Sequence, residues 1–486
     1  YPGVLNLTRP GETFCDAFSV CADSSYDVAK SNGFDLSFGS QPFESGIESQ
    51  TYSIHADWHL ENMTLTSITA YNEMDEFGRL ENTGGPDVGG QPFLLVTRNQ
   101  ELEQWSQEIR VSTDYAGPFN FVAGLFYFKM DYALAPQTVD LLGANIARSF
   151  AEQSLEAYAA YGEMNYDLTE KTSLTLGGRF NYETKEISVA QRVGALLSCP
   201  DLNSPTKSCR DPKVDYDNFS PRIGIDHNFT DEMMGYFMWS RGFRSGGWNP
   251  RAVSPTALGP YDPETIDNFE LGIRSEWFDN RLRVNATAFH MKYDDKQEAV
   301  HRESPLTLAV ETVIENAASA QINGIELELQ SSITANLSLN AAIGYLDAEY
   351  DEFLNDEGVD IKDQRRLNFA PEWSISVGGD YYHALDSIPG GITVSANYKW
   401  VDDYSTDPTR DPLGLDREMI DNYGEVDFSI SYERVMAENK RIKISVFADD
   451  AFHSDGRISR VSNGGSFVFA DQQPGRTWGV EFMYEM

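Results

Sequence analysis

The feature that most constrains this chain is an alternation of apolar and polar side chains, with a period of two residues, that recurs from one end to the other. Phe269, Leu271, Ile273 and Trp277 fall on one side of an extended segment, and Glu270, Gly272, Arg274 and Glu276 on the other. Successive side chains of a β-strand point to opposite faces, so the pattern specifies strands with one oily and one wet face. It returns at Leu174, Leu176, Phe180 and Tyr182, at Ile325, Leu327 and Leu329, and at Leu337, Leu339, Ala341, Ile343 and Tyr345. Further copies are Trp373, Ile375, Val377 and Tyr381; Ile392, Val394, Ala396, Tyr398 and Trp400; and Val426, Phe428, Ile430 and Tyr432. The last runs through Trp478, Val480, Phe482, Tyr484 and Met486.

Two kinds of connection take turns between these segments. Short turns fall at Glu61-Asn62, Tyr115 to Pro118, Thr169 to Lys171, Thr230-Asp231, Asp279-Asn280, Ala335-Asn336, Asp386 to Gly390 and Ala437 to Lys440. Long polar loops are expected at 77–100, 133–151, 189–213, 244–262, 298–310, 351–366, 403–420 and 451–474. Short turns on one side and long loops on the other separate an outer-membrane barrel from a soluble sandwich. The count is about seventeen strands after residue 48, beginning with Thr51 to Leu60. Many exceed ten residues, long enough to cross a tilted bilayer. Trp105, Tyr127, Tyr166, Trp239, Trp277, Trp373 and Trp400 stand near strand ends, where interfacial aromatic girdles belong. Phe121 to Met130 and Leu282 to Tyr293 are apolar on both faces, and the sequence leaves their lipid side open. An open sheet edge in lipid costs several kcal/mol per unpaired backbone group, so the sheet must close, and an odd strand count calls for further strands.

Composition agrees with this all-β, transmembrane antiparallel barrel. No stretch reaches the ~18 apolar residues that a spanning helix needs. Mean hydropathy is -0.42 with 23% charged residues, which a barrel tolerates because only every second side chain meets lipid. The formal charge is -39, from 76 acidic against 37 basic residues, and it excludes nucleic acid as a partner. Cys15 and Cys21, and Cys199 and Cys209, form two close pairs in segments rich in Pro, Asp, Ser and Asn. They read as two local disulfides in an oxidising compartment.

From about Thr51 to Met486 the chain resembles the TonB-dependent receptors of the bacterial outer membrane. The resemblance rests on the order and spacing of several pieces: Leu65 to Tyr71, Trp105 to Val111, Phe219 to Gly224, and Ser240 to Gly247. Pro263-Glu264 with Glu270-Leu271-Gly272, Asn316-Ala317 before Gly324-Ile325-Glu326, and Gly475 to Trp478 complete it. It implies a barrel of about twenty-two strands around a plug. Residues 1–48 then form an external loop and the start of the barrel segment, and 49–486 the barrel from about its sixth strand to its last, with the plug and earlier strands upstream of Tyr1. Two departures are the terminal Met486, where members carry an aromatic residue, and Asp450-Ala451-Phe452 in place of Asn-Leu-Phe. The resemblance also implies active uptake of a scarce solute, a ferric siderophore or similar metal chelate being the leading class and carbohydrate or cobalamin the rivals. Expected partners are outer-membrane lipid and lipopolysaccharide, the TonB energy-transducing complex through the plug, and a small-molecule ligand. A passive porin or scaffold is the reading from another class.

Candidate ligand-binding residues sit where strands meet long loops: Arg241, Arg244, Trp248, Tyr261, Trp400 and Tyr404. The two arginines would face the lumen and grip an anionic group, or pair with lumen carboxylates while the neighbouring glycines permit a bend. The aromatic residues would wall a ligand site or belong to the girdle. Asp402, Asp403 and Asp407, with Asp411 and Asp416, crowd one loop; such oxygens would take Ca²⁺ or form a solvated acidic loop, and no spacing matches an ordered calcium loop. Seven scattered histidines show no metal-ligand or Ser/His/Asp order, so neither a resident cofactor nor an enzyme is expected.

Overall fold

Each polar turn reverses the chain and lays one alternating segment antiparallel against the one before it. The structure, a computed structural model, describes residues 44–81, 91, 94–141, 143–193, 196–197, 213–250, 258–303, 310–355, 357–408, 419–436, 440–452, 458–463, 467–472 and 475–485. Among these, seventeen long strands follow one another: β1 Glu44–His59, β2 Met63–Glu81, β3 Leu94–Thr113, β4 Phe119–Leu141, β5 Ala144–Thr169, β6 Thr172–Val193, β7 Lys213–Thr230, β8 Met233–Arg244 and β9 Glu264–Trp277. The remainder are β10 Leu282–Glu303, β11 Val310–Thr334, β12 Leu337–Phe353, β13 Trp373–Ala384, β14 Gly391–Val401, β15 Tyr423–Val435, β16 Arg441–Asp449 and β17 Thr477–Glu485. All belong to one sheet, in which consecutive strands pair antiparallel from β1 to β17. No described helix is long and apolar enough to cross a membrane, which says nothing of strands.

The register shows why the alternation matters. Phe237 lies opposite Leu271, Leu271 opposite Ala288, Ala288 opposite Ile325, Ile325 opposite Tyr345, and Tyr345 opposite Trp373. Farther round, Ala396 opposes Phe428, Phe428 opposes Ala448, and Ala448 opposes Trp478. A slip of one residue at any strand would turn its apolar set to the other face, so the continuous row is what fixes the pairing. These side chains are not covered by protein: Leu271 is 63% exposed, Ile54 71% and Val480 68%. An apolar belt this extensive needs a non-aqueous neighbour.

The opposite face is polar and internally bonded. Tyr161 Oη donates to Glu108 at 2.6 Å, Arg222 Nη1 reaches Glu163 at 3.3 Å, and Asn285 Nδ2 donates to Glu328 at 3.2 Å. The two strands left open by the sequence now have sides. Leu125, 64% exposed, joins the apolar belt opposite Ile109, while Phe126 turns to the polar face beneath the Arg179 guanidinium, 5.3 Å from its ring centroid. On β10, Ala286, Ala288 and His290 join the belt, and Phe289 packs over Gly324 on the polar face.

Several expected loops prove shorter because the ladder continues into them. Residues 133–151 were expected as loop, yet β4 runs to Leu141 and β5 starts at Ala144. Similar extensions trim 77–100 and 298–310, and 403–420 and 451–474 carry the small pairs Tyr404–Ser405 with Met419–Ile420 and Ile458–Asn463 with Phe467–Gln472. Beyond the apolar belt lipid no longer selects one face, so the alternation fades while backbone pairing persists. Cys15, Cys21, Cys199, Cys209, Asp411, Asp416 and Met486 lie outside the described residues.

Candidate functional site

At the end where the long connections emerge, two segments fold inward onto the polar face. The first follows β8. Gly247 N donates to Tyr261 O at 3.1 Å and Tyr261 N to Gly247 O at 2.8 Å, closing a small antiparallel pair that Asn249 N extends to Leu258 O at 2.8 Å. Gly246 is needed here, since a Cβ would collide with the Tyr261 carbonyl. Trp248 and Leu258 are buried against Leu134, Ala151, Ile187 and Val189, which β4, β5 and β6 present on their polar face. Lys185 reaches up from β6, donating to Ser245 Oγ and Gly246 O at 2.6 Å each, with its Nζ 5.7 Å from the Tyr216 ring centroid. Burial raises the Tyr261 phenol above its ordinary value, with Arg244 pulling the other way.

The second segment follows β12. Ile361 and Leu367 pack on a buried cluster of Val300, Val313, Ala318, Ala320, Tyr350 and Phe353. Tyr350 Oη donates to Glu298 at 2.7 Å, Lys296 pairs with the same carboxylate, and the Arg365 guanidinium lies 4.7 Å over the Phe353 ring. Burial lowers the Arg365 value, against the pull of Asp407. Phe369 N donates to Ser405 O at 2.7 Å and Arg366 N to Pro408 O at 2.9 Å, tying this segment to the one after β14.

The residues singled out from sequence divide between the two faces. Arg241 does not face the polar side: it shares the face of Phe269 and Leu271, with Nε 3.0 Å from Asp267, which also accepts from Trp239 Nε1 at 3.1 Å. Arg244 is on the polar face, 3.6 Å from Glu264 and 62% exposed. Trp248 is 5% exposed and packs rather than presents a surface, and Tyr261 closes the β8–β9 pair beside it. Trp400 shares the apolar side with Tyr398 and lies opposite Ile375. Tyr404 stands 6.2 Å from the Phe369 ring, in the segment after β14. Asp407 is buried beside Ser405, and burial together with neighbouring Asp402 raises the Asp403 value. Among the described residues no three carboxylate, imidazole or thiol groups converge to hold a metal ion, Asp402, Asp403 and Asp407 included. Lys185, Tyr216 and Gln297 escaped the sequence reading, and Asn316 entered it only as a piece of the family resemblance, not as a site residue. Lys185 had a signal, since it shares the parity of Arg179 on β6, but nothing local marks what it touches.

A family model described as "TonB dependent receptor-like, beta-barrel" matches residues 18–451. The chain is 25% identical over 395 residues to the pesticin receptor of Yersinia pestis, covering 80% of this chain and 52% of that protein. It is 28% identical over 162 residues to the metal-pseudopaline receptor CntO of Pseudomonas aeruginosa, covering 33% of this chain and 20% of that one. Among solved structures, the ferric yersiniabactin uptake receptor FyuA from Yersinia pestis superimposes with a TM-score of 0.75 at 19% identity, covering 93% of this chain and 63% of that one. The siderophore receptor PiuA from Acinetobacter baumannii gives 0.65 at 14% identity, covering 91% and 65%. The chain spans about half the length of the pesticin receptor it matches. With its apolar belt against lipid and its polar face lining a lumen, the chain belongs to the TonB-dependent receptors and forms a transmembrane β-barrel of the bacterial outer membrane.

Proposed function

We propose that the receptor to which this barrel belongs takes up a ferric siderophore or a similar anionic metal chelate, driven by the TonB complex. The observation that carries this reading is the external end of the lumen. There, Arg244 stands 62% exposed on the lumen wall beside the inward-folded β8–β9 segment, with Lys185 beneath it. Guanidinium and ammonium groups in a recessed, partly apolar vestibule suit a ligand with carboxylate or phenolate oxygens at its edge. Receptors for a ferric siderophore and for a metal chelate among the similar proteins support the same class. The outward charges just beyond the aromatic belt, Arg241 with Asp267 and Lys292 with Asp294, suit contact with lipopolysaccharide headgroups.

The test is radio-iron uptake in cells lacking the gene, complemented with the full-length receptor and supplied with ferric yersiniabactin and with a ferric catecholate. Restored uptake that disappears in a strain without TonB supports the reading. Uptake that persists without TonB would point to a passive barrel, and failure with both chelates, alongside rescue of growth on a carbohydrate or cobalamin, would move the substrate class.

A further inference from the structure

The β8–β9 segment is fastened to the lumen wall on both sides, and most of its fasteners are side-chain amides. Gln297 Nε2, on β10, donates to Ser245 O at 3.1 Å and to Asp262 O at 3.0 Å, one on each arm of the segment. Asn316, on β11, takes a hydrogen bond from Asp262 N at 2.7 Å and donates to Asp262 O and Asp295 O at 2.8 Å each. Asn249 exchanges a pair of hydrogen bonds with the Ile314 backbone, at 2.8 and 3.0 Å, as a strand neighbour would. On the other side Lys185 holds Ser245 and Gly246, and Trp248 and Leu258 are buried on β4 to β6.

A loop ordered only by its ligand spends binding energy on that ordering. This one is already ordered by side-chain amides and apolar contacts that no ligand needs to touch. We propose that Gln297, Asn316 and Asn249 are positioning residues that fix residues 245–250 and 258–263 as a permanent inner rim of the vestibule, so that Arg244 and Tyr261 are preset before a ligand arrives. The identity of the rim as ligand-facing rests on the uptake reading; its rigidity does not.

The two can be tested apart. In the ligand-free, full-length receptor in detergent, hydrogen exchange at the amides of Gly247, Asn249 and Tyr261 reads the rim directly. These amides are expected to exchange as slowly as those at the external ends of β8 and β9. Gln297→Glu and Asn316→Asp keep side-chain shape but remove the N–H donors, and together they should speed exchange in the rim by roughly tenfold or more, since each lost hydrogen bond weakens it. Amides of β3 to β6 and the heat-modifiable migration of the folded barrel should not change, which separates loosening of the rim from failure to fold. Fast exchange in the unaltered receptor would overturn the proposal, and so would a rim indifferent to the double substitution. Loss of chelate uptake with a protected rim would instead count against the function alone.

Discussion

Arg241 and Arg244 leave the same strand three positions apart and stand on opposite faces of the barrel wall, the first bound to Asp267 on the lipid side and the second near Glu264 in the lumen. Their loss should therefore have different consequences. Arg241→Ala should lower stability in urea by about 1 kcal/mol or less, as for an exposed ion pair, and leave chelate uptake intact. Arg244→Ala should leave stability unchanged and weaken uptake at limiting chelate by roughly tenfold, the scale of one lost charge-assisted contact. Equal effects on uptake would mean that the faces are misassigned.

Ile273 sits midway between Phe269 and Trp277 on the belt and is 48% exposed. Ile273→Arg puts a charge against acyl chains, at a cost of about 2–4 kcal/mol near the bilayer centre. Glu270→Gln on the lumen face should change stability by no more than about 0.5 kcal/mol. Urea titrations of the protein refolded in lipid vesicles measure both. Similar losses for the two would remove the distinction between the faces.

On the lumen wall the Tyr236 ring lies over Gly272, and Arg274 stacks on the same ring with its guanidinium carbon 5.5 Å from the centroid. A side chain at Gly272 would meet the ring, so Gly272→Val should cost about 1–3 kcal/mol through overpacking. Adding Tyr236→Ala should recover most of that loss, because the space is then open. An additive double mutant would show that the ring does not lean on the glycine.

How much of this could be read from the chain depends on where lipid supplies contrast. The Phe269 to Trp277 segment declared its faces because hydrocarbon selects every second residue, and the strand count followed from repeating that reading. Past the aromatic level no hydrocarbon sorts one face from the other, so the extension of β4 to Leu141 left no periodic trace. Arg241 was legible in principle: it keeps the parity of Phe237 and Trp239, and counting two residues on from Trp239 places it outward. The inward rim was not legible. It depends on Trp248 meeting Val189 and on Asn316 meeting Asp262, partners brought together only when the sheet has formed.

The segment after β12 should loosen in acid. Backbone N–H groups of Phe353 and Lys362 donate to Asp360 and hold its carboxyl below the ordinary 3.8. The ionised form thus favours the turn; its contribution is complete above that value and is lost as pH falls through the lower, folded-state value. Pepsin cleavage within 353–362, normalised to an unstructured peptide, should rise between about pH 5 and about pH 2. Asp360→Asn, which cannot ionise, should flatten that rise. A turn equally protected at both pH values would contradict the linkage.

Alternate side chains along each strand of the belt touch lipid. Nitroxides placed singly at Val394, Ser395, Ala396, Asn397, Tyr398 and Lys399 of β14, in the receptor reconstituted in vesicles, test it through collision with dissolved oxygen. High oxygen accessibility is expected at 394, 396 and 398 and low accessibility at 395, 397 and 399. A profile without a two-residue period, or with the opposite phase, would contradict it.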